Sequence, residues 1–565
     1  MDLKQKIITV IPLFLIVLSL YIIISLIGNI FTDNIIYDNL IWITPVFCAI
    51  ILILMVFSFI WSFKDIKKLF FKIDKKTWII LLAIFLVGLS LRTFVAPHVH
   101  RILYDEDIYL NIGQNIAREG KAVNCIYGSQ EKCIQGEYNK QPNGYPFLMS
   151  IVFLFGTSES SAYYATAIIS SLTIILVFLI SYLLFENEKI SLFSTLIFTL
   201  TPIAILWAPT TSSDTVFIFF AGLTVFAFLS YFKNSKNNTL LFSFASLAYA
   251  IQIRTEGILL VLLVIIMFLF LKKDFFNTAR KREFLIILII FSLLILPLLM
   301  HLDSVKEESW GAKGDKLGLE YVNENLKDNG MLFFENTRFP VVFTILSLIG
   351  LALRKVWKEK IFLGVWFLLF FVLYLLFYAG GFNYGVDVRY SLNLYMPMAI
   401  LGGCGAFLIG DNLNKIVKKK WISSGVVALI IIVSFFPFIG FVRSVGFEGA
   451  DARLANDFII EKMKNMDDDC WIFTMVPSVV LNNGKNAINA RYAQNPKIVN
   501  EIFNKTDCVF FYEEYWCSSE PWKSNIAAYF HTNFDLIVYD SVSGTVYGLT
   551  KTFTLYYIER RDGNI

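Results

Sequence analysis

No Cys-x-x-Cys pair occurs in this 565-residue chain, and its seven cysteines are scattered. No histidine and cysteine residues cluster at zinc-finger spacing either, so neither a dithiol redox motif nor a structural zinc module is expected. The first long apolar run, residues 7–30, lacks a small-residue cleavage site and exceeds the core of a signal peptide, so it is expected to be a retained anchor. The net charge of +4 is small and excludes little, because what matters is which loops carry it. What the chain has in abundance is apolar surface. With 56% hydrophobic and 16% aromatic residues and a mean hydropathy of +0.63, it cannot be a soluble protein.

Many runs approach the ~20 apolar residues needed to cross a bilayer. Besides 7–30, the expected spans are 40–63, 77–96, 160–185, 189–208, 212–233, 239–253 and 256–273. Further along come 283–302, 338–354, 360–380, 390–410 and 421–441, about 13 in all. Lysine and arginine placement orients them. Lys4 and Lys6, the loop Lys64 to Lys76, Lys233 with Lys236, and the segments Lys272 to Arg282, Arg354 to Lys360 and Lys415 to Lys420 share one side of the alternation. That side is expected to be cytoplasmic, with the N-terminus, in a plasma membrane. The mildly acidic loop Glu186 to Lys189 is the exception, and Phe31 to Asn39, which has no lysine or arginine, falls outside.

Tyr145 to Phe155, after the Gln141-Pro142-Asn143-Gly144 turn, is apolar but too short to span. Counting it as a span would reverse every later loop, so it is expected to lie in the outer interface. Residues 97–159 then form one large external loop. Within it Cys125 and Cys133 flank a polar turn, as a disulfide in an oxidising compartment or as two free thiols. Past Phe441, amphipathic helical segments alternate with short apolar strands, which implies an external α/β domain. It holds three cysteines, at least one of them unpaired within it, and the sequon Asn504-Lys505-Thr506. The expected division is 1–76 (two N-terminal spans), 77–441 (membrane domain with the loop 97–159) and 442–565 (α/β domain).

Ionisable groups gather at the outer ends of the spans. Asp105, Glu106 and Asp107 follow the span 77–96 and open an amphipathic helix that Gly120 ends. Glu159 opens the span after the interfacial segment. Asp214 closes Pro209-Thr-Thr-Ser-Ser-Asp214, Arg254 and Glu256 separate two apolar runs, and Arg389 precedes Tyr390. Each has a plain reading as a cap, a local ion pair or a snorkelling anchor. Together on one face they suggest a polar cavity for an anionic headgroup beside a carboxylate that takes a proton.

The ordered set resembles the GT-C superfamily of polyprenyl-phosphate-sugar-dependent glycosyltransferases, in the branch of the protein O-mannosyltransferases and lipid A aminoarabinose transferases. Tyr104-Asp105-Glu106 with Tyr109 looks like the acidic motif of that family's first external loop. Asn143-Gly144-Tyr145-Pro146 and Phe155-Gly156-Thr-Ser-Glu159 look like its juxtamembrane segment, and Asp214 falls where its second external loop carries an acid. Arg254-Thr-Glu-Gly257 and Arg389-Tyr390 with Pro397 resemble its later motifs. The resemblance implies a polytopic α-helical membrane protein of GT-C type with a C-terminal extracytoplasmic α/β domain. It also implies an inverting transfer of one sugar from a polyprenyl-phosphate donor to a hydroxyl of a protein, glycan or lipid.

In that reading Asp105 is the base, with Glu106 as second choice, and Arg254 and Arg389 clamp the donor phosphate. Glu159, Asp214, Glu256 and Tyr390 orient the substrates. No cofactor and no nucleic acid is expected; His98, His100 and Asp105 are the weak candidates for a divalent metal. The chain departs from the pattern in its two extra leading spans and in lacking an arginine after Glu159. It also lacks the Trp-Trp-Asp-Tyr-Gly motif, which argues against transfer of a whole oligosaccharide. The rival class is a secondary transporter, which calls for an internal repeat and mid-membrane charges, and neither stands out.

Overall fold

The computed structural model describes residues 33–129, 131–139, 141–271, 282–305, 314–334, 337–352, 356–382, 385–445, 450–517, 525–546 and 549–559. The chain forms two compact units. The first joins residues 1–99, 140–145 and 163–445, and the second joins 100–139, 146–162 and 446–565.

The first unit is helical. Among the described residues eight helices are long and apolar enough to cross a membrane: Asn39–Lys68, Lys75–Val95, Glu159–Phe185, Ser213–Asn234, Arg282–Ser304, Trp357–Leu376, Val388–Val417 and Lys420–Val442. The expected spans at 239–253, 256–273 and 338–354 are shorter helices, Asn237–Ile251, Thr255–Leu271 and Val341–Leu351. The run 7–30 lies outside the described residues.

The expected span 189–208 is broken. Glu188–Thr199 ends before Pro202–Leu206 begins, with Pro202 at the first helical position, where its missing N–H costs nothing. The carbonyls freed at the break find a donor in Arg92, which is fully buried. Its guanidinium donates to the Thr199 carbonyl at 3.3 Å and the Phe198 carbonyl at 3.5 Å, and to Ser170 Oγ at 3.3 Å. A membrane interior offers no water for such groups, so an arginine that bonds carbonyls keeps the interruption affordable. Helices Val341–Leu351 and Leu392–Val417 pack backbone to backbone, since a Cβ at Gly350 would collide with the Leu401 carbonyl and one at Gly405 with that of Leu346.

The acidic loop that breaks the charge alternation is also explained. Glu188 accepts from the Asp74 N–H at 3.1 Å and from the Thr77 hydroxyl, and Glu186 pairs with Lys233 at 2.5 Å. These carboxylates are spent on one helix start and one lysine.

The second unit is a seven-stranded sheet with helices. Its strands are β1 (Asn124–Gly128), β2 (Cys133–Glu137), β3 (Trp471–Thr474), β4 (Asn486–Asn489), β5 (Val509–Glu513), β6 (Asp535–Val546) and β7 (Leu549–Glu559). The order is β2-β1-β4-β3-β5-β7-β6, with β4, β3 and β5 parallel and the rest antiparallel. Phe473, Phe511, Ile488, Val499, Ile502 and Phe530 form its core. A division at 442 therefore does not separate this unit. The hairpin β1–β2 belongs to the first loop, yet it completes the sheet by pairing Tyr127 with Ile488, because β4 would otherwise present an open edge. Cys125 is bonded to Cys133 and Cys470 to Cys508, and Cys517 is free and buried. The apolar segment after the Gln141-Pro142-Asn143-Gly144 turn is a ten-residue helix, Gly144–Phe153.

Candidate functional site

In the helical unit, five residues singled out in the sequence come together. Asp214 sits in the first turn of Ser213–Asn234, and the whole stretch Thr210 to Asp214 is buried. Arg254 stands in extended backbone between Asn237–Ile251 and the short 3₁₀ turn Thr255–Ile258. Its Nη1 is 2.5 Å from Asp214 Oδ1 and 3.4 Å from Ser213 Oγ, and its Nε bonds Glu256 Oε1. Arg389 brings Nε to 3.8 Å from Asp214 Oδ2.

An aromatic wall completes the group. The guanidinium carbons of Arg389 and Arg254 lie 5.0 and 5.8 Å from the centre of the Tyr390 ring, which stacks on Tyr374 at 4.8 Å. Tyr374 donates its hydroxyl to Glu256 Oε1 at 3.1 Å and accepts from the Asn393 amide at 2.9 Å. Two arginines and two carboxylates, each with nine-tenths or more of the side chain buried, thus form one network. Removing any charge would leave another uncompensated.

Glycine fixes where Arg254 stands. The Gly144 N–H donates to the Gln252 carbonyl at 2.8 Å, and Tyr249 donates its hydroxyl to the Gly144 carbonyl at 3.0 Å. A Cβ at Gly144 would lie 2.5 Å from the Gln252 carbonyl oxygen, so the motif Asn143-Gly144-Tyr145 allows a backbone approach that no other residue permits.

The second unit holds the other candidates. Its helix Leu103–Glu119 begins with the acidic triplet and closes on Gly120 in the left-handed conformation, φ 71°. Asp105 is half-buried on the first turn. Glu106 is fully buried, and its Oε1 accepts from the N–H groups of Arg101 and Ile102, both at 2.8 Å. That is a capping task, which gives the second-choice base a structural occupation.

The sequence reading left Asp107 without a role, and here it faces His100. The buried imidazole brings Nδ1 to 3.6 Å from Asp107 Oδ1, and its Nε2 contacts Glu159 Oε1. Residues from the far end of the chain hold this pair. Arg453 donates to the His100 carbonyl at 2.8 Å, Asn456 to Asp107 Oδ2 at 3.3 Å and Asn482 to the Asp107 carbonyl at 2.8 Å. Burial by itself would lower the His100 pKa, but the charge and hydrogen bond of Asp107, the hydrogen bond of Glu159 and the charge of Glu106 hold it well above the ordinary value. Burial pushes the Asp107 carboxyl up, and the His100 charge recovers only part of the shift.

No spacing rule links His100, Asp107 and Glu159, so sequence alone could not assemble them. His98 instead packs against the rings of Tyr163 and Tyr164 in the helical unit, at 5.8 and 4.6 Å. Among the described residues no group of three or more His, Cys, Asp or Glu side chains has the geometry to hold a metal ion.

Comparison with known proteins fits this architecture. Residues 140–301 match the family described as dolichyl-phosphate-mannose-protein mannosyltransferase. Against curated protein sequences the chain has no match. Similar solved structures include the archaeal oligosaccharyltransferase AglB from Archaeoglobus fulgidus, in complex with an inhibitory peptide and a dolichol-phosphate. It is 11% identical with a TM-score of 0.53, over 78% of this chain and 69% of that one. ArnT from Cupriavidus metallidurans, bound to undecaprenyl phosphate, is 13% identical with a TM-score of 0.52, over 85% of this chain and 97% of that one. The fold is that of the GT-C superfamily, as the sequence motifs led one to expect. Within it, the matched stretch carries Asn143, Gly144, Glu159, Asp214, Arg254 and Glu256, residues on which the resemblance to the mannosyltransferase branch rests.

Proposed function

We propose that the protein is an inverting glycosyltransferase that moves a single sugar from a polyprenyl-phosphate donor to a hydroxyl of a protein, glycan or lipid acceptor at the outer face of a plasma membrane. The observation that carries this reading is the pair of buried arginines, Arg254 and Arg389, gathered on Asp214 in the helical unit of a GT-C fold. Two guanidiniums in a low-dielectric setting suit a lipid phosphate, and their protein carboxylates keep them charged and in place between turnovers. The placement of basic loops supports a cytoplasmic N-terminus and an external sheet unit.

The chemistry follows from inversion. Asp105 accepts the proton of the acceptor hydroxyl as that oxygen attacks the anomeric carbon from the face opposite the phosphate. The bond from the anomeric carbon to the phosphate oxygen breaks, and its electron pair leaves with the polyprenyl phosphate. The arginines stabilise that charge without proton donation. Asp214, Glu256 and Tyr390 act by holding the arginines, Glu159 acts by orienting a substrate, and no cofactor enters.

The test is Asp105→Asn, which keeps shape and most hydrogen bonding but accepts no proton. Sugar transfer should fall about 10²- to 10⁴-fold while expression and binding of the lipid donor persist. Purified protein, a polyprenyl-phosphate monosaccharide and cell-envelope acceptors suffice, with and without chelator. Transfer by the asparagine variant at near-parent rate would remove Asp105 as base. A parent that transfers nothing from any such donor, yet moves a solute in liposomes, would make the protein a transporter.

A further inference from the structure

The sheet of the second unit has a feature that the transferase chemistry above does not use. From β3 the chain runs through Pro477–Asn482 to β4 on one side, and from β5 it runs on to β6, beyond β7, on the other. Connections therefore leave the ends of the adjacent parallel strands β3 and β5 in opposite directions. A crevice opens at such a switch point, and open α/β sheets bind ligands there.

Glu514, the residue after β5, stands at this end of the sheet. Its buried carboxylate reaches across to β3, accepting from the N–H of Met475, and it also accepts from the N–H of Trp516 at 2.7 Å. An aromatic pair stands beside it. There the half-buried ring of Trp516 lies 5.9 Å from that of Tyr104, tilted by 47°. Tyr104 is 42% exposed, on the first turn of Leu103–Glu119 and directly before Asp105. Both Glu137 and Arg491, each exposed, lie close enough to act on the Tyr104 phenol through their charges.

We propose that this switch point is a glycan-binding subsite, with Tyr104 and Trp516 as its stacking platform and Arg491 and Glu137 as its polar rim. A sugar ring offers a face of C–H bonds that suits the electron-rich faces of two tilted aromatic rings. Its vicinal hydroxyls match a guanidinium that only donates and a carboxylate that only accepts. An acyl chain would ask for an unbroken apolar lining, and charges of both signs beside the rings do not provide one. On the transferase reading this names the acceptor as a carbohydrate, held beside Asp105.

The test uses the full-length protein in nanodiscs, with fluorescently labelled neutral oligosaccharides (mannose- and glucose-based trimers) and a labelled Ser/Thr-rich peptide as probes. The parent should bind an oligosaccharide, and Tyr104→Ala and Trp516→Ala should each weaken it about three- to tenfold. Tyr104→Phe should stay within about twofold of the parent, since the ring is kept. Arg491→Ala alters an exposed side chain and should weaken binding about threefold with an unchanged melting curve, which covers the case that a ring variant misfolds. Binding of peptide but of no oligosaccharide overturns the proposal, and so does oligosaccharide binding unchanged in the ring variants. Two outcomes separate it from the proposed function. Oligosaccharide binding lost in the ring variants, in a protein that transfers no sugar, keeps the subsite and removes the transferase. Transfer with an acceptor KM unchanged in Tyr104→Ala and Trp516→Ala keeps the transferase and removes the subsite.

Discussion

Asp214 is the point at which the charge network of the helical unit can be tested. Asp214→Asn preserves size and one acceptor oxygen but removes the charge that faces Arg254 at 2.5 Å and Arg389 at 3.8 Å. Glu256 is then the carboxylate of this network that remains beside the buried guanidiniums, and Tyr374 already draws on its Oε1. Breaking a buried ion pair from one side costs about 3–5 kcal/mol, and the retained amide oxygen places this variant near the lower end. A lipid phosphate bound at the arginines would restore the missing negative charge. The variant should therefore lose about 3 kcal/mol alone and regain more from the ligand than the parent does. Denaturant titration in mixed micelles, with and without polyprenyl phosphate, measures both. A loss below about 1 kcal/mol would mean that Asp214 does not balance the arginines. Equal stabilisation of parent and variant by the lipid would show that the arginines do not bind its phosphate.

Three further outcomes follow from the geometry. Gly144→Ala should destabilise by about 1–3 kcal/mol, since the new Cβ meets a backbone carbonyl that cannot turn away; the melting temperature and lipid-phosphate binding should fall together. Replacing both Cys470 and Cys508 by serine should cost about 3–4 kcal/mol, from a closed loop of 38 residues; non-reducing gels and melting curves report it. Glu514, held by burial at about 7 against an ordinary 4.5, favours its protonated form in the folded state. Its contribution is complete below pH 4.5 and lost as pH rises through 7, so Glu514→Gln should match the parent near pH 4.5 and exceed it by up to about 3 kcal/mol well above pH 7.

The membrane helices were legible because apolar length is a local signal, as at 40–63 and 160–185, which the helices Asn39–Lys68 and Glu159–Phe185 overlap almost whole. The run 189–208 misled because hydropathy does not register a backbone break that a distant arginine, Arg92, satisfies. Arginine and acid motifs were readable one by one, and Asp214, Arg254, Glu256, Arg389 and Tyr390 do meet. The imidazole–carboxylate group of His100, Asp107 and Glu159 was not readable, since its supports Arg453, Asn456 and Asn482 come from the C-terminal region. Sheet register across such distances leaves no periodic trace in sequence.

The pairing of β1 with β4 sets an order of assembly. The hairpin Asn124–Glu137 is made before most of the membrane helices, whereas its partner Asn486–Asn489 is made only after the helix Lys420–Val442. Until then the edge of β1 that will receive β4 has no partner strand, and the first loop cannot reach its final form while the membrane helices are being inserted. A ribosome that stops just past the helix Lys420–Val442 leaves a chain whose acidic helix still lacks Arg453, Asn456 and Asn482 and the strands behind them. The first loop therefore stays unfinished until β4 is made, and its sheet edge and acidic helix reach their final partners only after the helix Lys420–Val442 has been synthesised.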